Sequence, residues 1–207
     1  MGETGVQEAK MSEALNKFKQ LAQDENLVVI DVETTGLGKK PHEHLDEIVE
    51  ITILNLHGQV LLRELVQPVQ LIPQVVINIH GINNVMVRGA PTWREVAPMV
   101  QDVLEGKIVT AWNLSFDIEL MRQSSLARRM NPIPRNWREQ CAMDLYAQLT
   151  ALPGQERAKF VNLKKACERE NIDQSQFEGL HSATGDCQRV LAIIKAMATR
   201  DPGEFLW

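Results

Sequence analysis

Three β-rich segments follow one another early in the chain, and this feature constrains the fold more than any other. They lie at 27–33, 47–56 and 59–67, are dominated by Val, Ile and Leu, and are bounded by turn residues. Only His57 and Gly58 separate the last two segments, and a connection of two residues suits a β-hairpin. The opening of the chain is therefore predicted to contain three strands, at least two of them antiparallel.

After residue 90 the pattern changes, because helical segments with apolar residues three and four apart begin to alternate with short apolar runs. The elements predicted there are a helix over 91–106, a strand over 107–112, a helix over 115–129, a fifth strand over 141–145, and helices near 162–170 and 182–199. Three strands followed by alternating helices and strands are typical of an α/β fold. We therefore expect a mixed sheet of five strands flanked by helices.

The first 26 residues carry a helical pattern of their own. Its apolar positions are spaced by four, three and three residues, at Met11, Leu15, Phe18 and Leu21. This spacing predicts an amphipathic leading helix. The chain is accordingly divided into three segments: a leading helix or extension (1–26), a main domain (27–200) and a short C-terminal tail (201–207).

Composition excludes several classes of protein. The chain of 207 residues, with 44% hydrophobic and 24% charged residues, has the content of one ordinary globular domain. Its net charge of −5 argues against a protein that coats nucleic acid regardless of sequence. No apolar run approaches the roughly 18 residues that span a bilayer, and the N-terminus lacks a secretory pattern. A cytoplasmic location without a membrane partner is therefore expected.

Two carboxylates, Asp31 and Glu33, stand at the end of the first predicted strand. Residues two apart on a strand project from the same face, so these side chains are expected to lie side by side. A bound divalent cation would remove both their mutual repulsion and the cost of burying them. A strand end that carries two solvated acids is the alternative, and this pair alone does not exclude it.

Asp117 is the second candidate, in the first turn of the helix predicted after strand 107–112. The helix dipole favours an acid there, and Asn113 or Ser115 is placed to cap the turn, so a purely structural account also exists. Phe116 is expected to pack this helix on the sheet, which leaves the neighbouring Asp117 toward the edge of the buried stripe.

Segment 181–186 (HSATGD) leads into the last predicted helix and places His181 ahead of Asp186. A histidine beside a carboxylate cluster suits proton abstraction near neutral pH, because its unperturbed pKa is about 6.5. A solvent-facing or capping histidine is the structural alternative.

Taken together, the segments 31–37 (DVETTGL), 113–117 (NLSFD) and 181–186 (HSATGD) resemble the three motifs of the DEDDh branch of the DEDD 3′→5′ exonucleases. They occur in the order and at the distances usual for that family. Weaker resemblances lie between them, at 79–82 (IHGI), 91–99 and 162–173, so the likeness extends over about residues 27–198. The family resemblance implies a ribonuclease H-like fold, with three antiparallel strands continuing into a parallel part, and it makes the segment 27–200 an exonuclease domain.

The resemblance also implies a catalytic constellation. Asp31, Glu33, Asp117 and Asp186 would form the acidic tetrad, and His181 would be the general base. The implied cofactors are two divalent cations, Mg²⁺ or Mn²⁺, one held by Asp31, Glu33 and Asp186. Asp31 would bridge to the second ion, which Asp117 would reach through bound water. Carboxylate oxygens are ligands that suit both metals.

The implied substrate is the 3′ end of DNA, single-stranded or frayed, from which nucleoside 5′-monophosphates are released. Thr34 would lie near the 3′ hydroxyl and Leu37 against the last base. The remaining residues expected to contact substrate are His80, Gly81, Ile82, Asn113 and Phe116. Trp112 and Val75 depart from the pattern of relatives, since Val75 stands where a proofreading relative has an acid near its nucleotide pocket.

Other functions stay open at this stage. A domain of the same fold is compatible with hydrolysis of short RNA or of a small phosphodiester, and also with an adaptor module that grips 3′ ends with little turnover. The segment that follows the last predicted helix is short, which favours a free-standing nuclease or one recruited by a protein partner through residues 1–26.

Overall fold

The computed structural model describes residues 3–37, 45–150, 160–179, 181–201 and 203. Its strands are Leu27–Thr34 (β1), Ile48–Asn55 (β2), Val60–Leu65 (β3), Ile108–Ala111 (β4) and Arg138–Cys141 (β5). Its α-helices are Glu3–Leu21 (α1), Gln74–His80 (α2), Trp93–Leu104 (α3), Leu114–Ala127 (α4), Ala142–Leu149 (α5), Leu163–Arg169 (α6) and Ala183–Ala198 (α7). A short 3₁₀ helix covers Gln174–Gln176.

The five strands form one sheet in the order β3-β2-β1-β4-β5. The pairs β1–β2 and β2–β3 are antiparallel, whereas β1–β4 and β4–β5 are parallel. The mixed sheet, with three antiparallel strands followed by a parallel part, is therefore confirmed. Pairing of β1 with β4 stops at Val29, although β1 continues to Thr34. The carboxyl end of β1 is therefore paired with β2 only.

Alternation along β1 assigns the two faces of the sheet. Leu27 and Val29 join an apolar cluster built with α1, α5 and α7. Val28 and Ile30 belong to a second cluster, built with α3 and α4 on the other face. Because side chains alternate with a period of two, Asp31 and Glu33 follow Val29 on the face that α7 covers.

The helix predicted within residues 1–26 is present as α1. Its apolar stripe is buried inside the main fold, where α1 packs against α5 and α7, and the buried residues are Met11, Leu15, Phe18 and Leu21. The segment boundaries at residues 26 and 200 stay predictions. Among the described residues, no helix combines the length and apolar character that crossing a membrane requires.

The fifth strand was predicted at 141–145, and this prediction is wrong in position. β5 is Arg138–Cys141, and the residues from Ala142 onward form α5. β5 is an edge strand with exposed Arg138 and Glu139, so it lacks the apolar alternation that identifies strands in a sequence. Parallel pairing with β4 forms it instead, and this partner is distant in the sequence.

Two connections also differ from expectation. The β2–β3 loop runs from residue 56 to 59 rather than over two residues, because the Asn55 side chain accepts hydrogen bonds from the N–H groups of His57 and Gln59. Helix α2 was not predicted, and it contains no buried residue that would have given it a helical pattern. It ends at Gly81, whose φ of 77° lies in the left-handed region.

Candidate active site

Asp31 and Glu33 lie at the carboxyl end of β1, both half-buried, on the face covered by α7. Glu33 is directly opposite Glu50 of β2 in the antiparallel register, and Glu50 is only 7% exposed. The strand end therefore presents three carboxylates, of which Glu50 was not among the candidates.

Asp117 reaches the same strand from the parallel side. It lies in the first turn of α4 and is 3% exposed, and its carboxylate is hydrogen-bonded by the backbone of Val32. This contact uses the part of β1 that extends beyond β4. Asn113 is at the N-cap position but makes no capping bond there; its side-chain oxygen accepts from the Ser115 hydroxyl at 3.2 Å. The proposed cap by either residue is thus not formed.

Asp186 is brought to the strand end by α7. Thr184 in the first turn of that helix is hydrogen-bonded to Thr52 of β2 at 3.1 Å, which fixes the start of α7 over the sheet. Asp186 accepts a hydrogen bond from Arg189 Nη1 at 3.1 Å, and Arg189 is 2% exposed. A buried cation therefore offsets part of the negative charge at this site.

The pKa values of these acids are raised because burial disfavours their charged forms and the carboxylates repel one another. Burial raises the pKa of Asp31 well above its usual range, with further contributions from Asp117, Asp186, Glu33 and Glu50 in that order. Burial, followed by repulsion from Asp186, Glu50 and Asp117, raises the pKa of Glu33 to about 8. The pKa values of Asp117 and Asp186 are also raised, chiefly by burial. Acids from four separate segments, β1, β2, α4 and α7, are thus brought into one negative site.

This site fits divalent cations by its donor chemistry. Its side chains offer carboxylate oxygens, the ligands that Mg²⁺ and Mn²⁺ prefer, and a cation would relieve the repulsion between them. Within the described part of the chain, no three His, Cys, Asp or Glu side chains stand close enough to form a ready-made metal cage.

His181 precedes α7 and adopts a φ of 57°, in the left-handed region that few residues other than glycine enter. Its side chain is exposed. It lies near enough to Asp186 to lower the pKa of that acid, which counters part of the effect of burial. The structure therefore places His181 at the rim of the acidic site.

The loop after β1 is joined to α2 through His80. His80 Nδ1 accepts from the Ile82 N–H at 3.0 Å, so the proton of the neutral ring is on Nε2, which donates to the Thr34 carbonyl at 3.2 Å. Burial lowers the pKa of His80, which favours this neutral form. Leu37 is 62% exposed beside this loop, as an apolar contact to a base requires.

A cavity of about 400 Å³ opens next to this bridge. It is lined by Glu50, Arg63, Leu65, His80, Ile82, Met86 and Ser182. Two of the expected terminal-nucleotide residues, His80 and Ile82, thus share one cavity that reaches the acidic site through Glu50. Gly81 ends α2 between them.

Asn113 and Phe116 are not brought to that cavity. Asn113 lines a different cavity of about 440 Å³, together with Cys141, Asp144 and the exposed Phe160. Phe116 packs against the core cluster under α4, as expected from its spacing.

Sequence reasoning missed Glu50, Arg63 and Arg189. Glu50 had a usable signal in the sequence. The run from Ile48 to Leu54 is apolar except for Glu50 and the neutral Thr52, so Glu50 is its one charged residue. Arg189 had a weaker one, because it follows Asp186 by three residues on a helix.

The RNase T family model, described as an exonuclease, matches residues 28–194. The chain belongs to this exonuclease family. An uncharacterized exonuclease, CP81, of Escherichia phage 186 is 33% identical over 181 residues, which cover 84% of this chain and 89% of the phage protein.

Two solved structures share the fold of this chain. Exonuclease X in complex with 5′ overhanging duplex DNA has a TM-score of 0.56 and 24% identity, with 84% of this chain and 92% of that chain covered. The nuclease domain of 3′hExo, a DEDDh family member bound to rAMP, has a TM-score of 0.60 and 18% identity, with 82% and 90% covered. The ribonuclease H-like fold is therefore confirmed. The chain is a 3′→5′ exonuclease of a family that generally uses divalent metal ions.

Proposed function

We propose that this exonuclease releases nucleoside 5′-monophosphates from the 3′ end of DNA, with single-stranded or frayed ends preferred. Asp31, Glu33, Asp117 and Asp186 would hold two divalent cations, Mg²⁺ or Mn²⁺. The observation that carries the proposal is the gathering of carboxylates from β1, β2, α4 and α7 at one end of β1. Repulsion between them adds to burial in raising the pKa values of Asp31 and Glu33. Perturbed carboxylates gathered at a strand end are typical of a catalytic centre.

When bound, the ions supply a lowered pKa for the attacking water and charge neutralisation at the phosphate. His181 would accept the proton of that water on an imidazole nitrogen. The water oxygen then bonds to phosphorus, the bond from phosphorus to the 3′ oxygen of the preceding nucleotide breaks, and that oxygen leaves with a proton. Arg189 would hold Asp186 in place before the ions arrive.

The terminal nucleotide would lie between the loop after β1 and the cavity beside α2. Thr34, His80, Gly81 and Ile82 would surround its sugar, and Leu37 would wedge against its base. Apolar wedging and stacking are tolerant of sequence, since every base has a π face. Little base preference is therefore expected, and Asn113 and Phe116 would contact the next nucleotide from the α4 side.

DNA is proposed over RNA because the sequence resembles proofreading-type domains. Hydrolysis of short RNA is the second candidate, and it is favoured by the likeness to a nuclease domain that was solved with rAMP bound.

A protein partner of residues 1–26 would meet the polar face of α1, at Glu13, Asn16, Lys17 and Gln20, because the apolar face is buried. A cytoplasmic location stays the prediction made from the sequence.

The test is a digestion panel with 5′-labelled single-stranded DNA, duplex DNA and RNA, each with Mg²⁺, Mn²⁺ or a chelator. We expect stepwise shortening from the 3′ end, fastest on single-stranded DNA and absent with chelator. Asp31→Asn should abolish it, whereas Asp102→Asn, at an exposed acid on α3, should not. Tight binding of 3′ ends without shortening would favour the adaptor alternative, and faster shortening of RNA would favour the second candidate.

A further inference from the structure

A ring of polar contacts joins the segment before α7 to strands β2 and β3. Arg63 of β3 donates from Nη1 to Glu178 Oε1 at 2.9 Å, and its Nε lies 3.4 Å from Glu50 Oε1. Glu50 Oε2 accepts from the Ala183 N–H at 3.4 Å. The ring closes where the Ser182 hydroxyl donates to Glu178 Oε2 at 3.1 Å. We call these five residues the Arg63 ring.

The Arg63 ring contacts the chain on both sides of His181. Glu178 lies before His181, and Ser182 and Ala183 lie directly after it. The His181 side chain is exposed, so its position depends on the backbone that presents it, and that backbone has a left-handed φ of 57°. A residue in this region persists only where its surroundings fix it.

The other end of the ring is part of the acidic site. Glu50 lies opposite Glu33 in the β1–β2 register, and its side chain is largely buried. The ring therefore spans from the strand beside the carboxylates to the loop that bears the histidine. A shift in the ring changes the distance between these two groups.

We propose that Arg63 is a positioning residue, which acts through Glu50 and Glu178 to hold His181 at its working distance from the acidic site. The inference rests on the proposed function, in which His181 is the general base. Arg63 is suited to this task because a guanidinium has several donors in a fixed plane and can bridge two carboxylates at once.

Contacts that do not involve Arg63 also attach this segment to α7. Arg189 donates to the carbonyl oxygens of Glu178 and Gly179, and the Glu178 N–H donates to the Gln188 side chain at 3.1 Å. Arg63 and Glu178 are 44% and 42% exposed, and ion pairs with such exposure contribute little to stability. Removal of Arg63 is therefore expected to loosen the position of His181 without unfolding the protein.

The experiment is a double-mutant cycle on the full chain, with kcat and KM measured on single-stranded DNA at saturating Mn²⁺. The variants are Arg63→Gln, His181→Ala and their combination, with Arg138→Gln on the exposed edge strand β5 as the matched control. Arg63→Gln should lower kcat about tenfold with little change in KM, since small misplacements of a catalytic group are costly. In the His181→Ala background it should cause no further loss, and Arg138→Gln should have no effect in either background.

Each outcome separates the positioning role from the proposed function. If His181→Ala leaves kcat unchanged, the general-base assignment fails, and the role of Arg63 fails with it. If His181→Ala slows turnover but Arg63→Gln does not, or if the two losses multiply, only the positioning role is overturned. Glu178→Gln repeats the test at an exposed loop position, and it should give the same loss of kcat and the same lack of additivity.

Discussion

Glu33 of β1 and Glu50 of β2 face each other across the antiparallel register, which places like charges at neighbouring positions of a largely buried strand end. Such a pair destabilises the sheet whenever both groups are ionised. The enzyme thus retains repulsion that a purely structural sheet would have no reason to keep, and several measurable properties follow from it.

The first prediction concerns pH and the stability of the metal-free protein. Burial and repulsion raise the pKa of Glu33 from its ordinary 4.5 to about 8, and the pKa values of Asp31, Asp117 and Asp186 are raised as well. A raised pKa in the folded state contributes stability that is complete below about pH 4.5 and is lost as the pH rises to about 8. Thermal melts with chelator should therefore show Tm falling across this window. Added Mn²⁺ should restore Tm most at the upper end, and a Tm independent of pH between 5 and 8 would contradict the convergence of the acids.

The second prediction isolates Glu33. In Glu33→Gln the neutral amide imitates the protonated acid, so the variant should match the Tm of the wild type near pH 5 and exceed it near pH 9 with chelator present. Nuclease activity should be lost over the whole range, because one of the proposed metal ligands is missing. Glu64→Gln on β3, outside the acidic site, is the control and should leave both quantities unchanged. Equal Tm values for Glu33→Gln and wild type at high pH would show that repulsion at this site is negligible.

The third prediction concerns the close approach of α7 to the preceding segment. A Cβ on Gly185 would lie 2.5 Å from the Glu178 carbonyl oxygen, whereas a Cβ on Gly5 in α1 meets nothing within 4 Å. Gly185→Ala should therefore lower the free energy of unfolding by about 1–3 kcal/mol, the usual cost of overpacking. Gly5→Ala should be neutral or slightly stabilising, because alanine favours the helix. Chemical denaturation of both variants is the measurement, and an unaffected Gly185→Ala would mean that the segment can move away from α7 at little cost.

The fourth prediction concerns His80, which joins the Thr34 carbonyl to the Ile82 N–H. His80→Ala leaves both backbone groups without this partner, so we expect a loss of about 1–3 kcal/mol in stability. The loop at Thr34 should also become less ordered, which should raise KM more than it lowers kcat. His57→Ala is the comparison, since His57 is exposed and its ring is hydrogen-bonded to the exposed Glu25. An unchanged KM in His80→Ala would remove His80 from the terminal-nucleotide pocket.

Local patterns were enough to predict most of the fold. The apolar runs of β1, β2 and β4 and the periodic stripes of α3, α4 and α7 are signals within the elements themselves. β5 could not be placed correctly, because Arg138 and Glu139 point to solvent and its pairing with β4 is a long-range contact. Helix α2 buries none of its residues and so leaves no periodic trace.

The residues of the candidate site also divide into those that a local pattern predicts and those that depend on contacts between distant segments. That Asp31 and Glu33 lie side by side follows from the period of a strand. That Asp117 and Asp186 join them could be predicted only from the resemblance to a family. Glu50 was missed because its role depends on a register, which the apolar pattern of β2 does not specify residue by residue. Arg63 was missed because its partners Glu50 and Glu178 come from the neighbouring strand and from a segment 115 residues away.

The packing of α1 against α7 has a consequence for the order of events during synthesis. The apolar stripe of α1 is covered in part by α7, which is synthesised much later. Helix α7 also carries Asp186. Contacts between such distant parts of a chain form slowly, since a long loop must close first. A growing polypeptide on the ribosome consequently lacks Asp186 until α7 has been translated, and we expect hydrolytic activity only after that point.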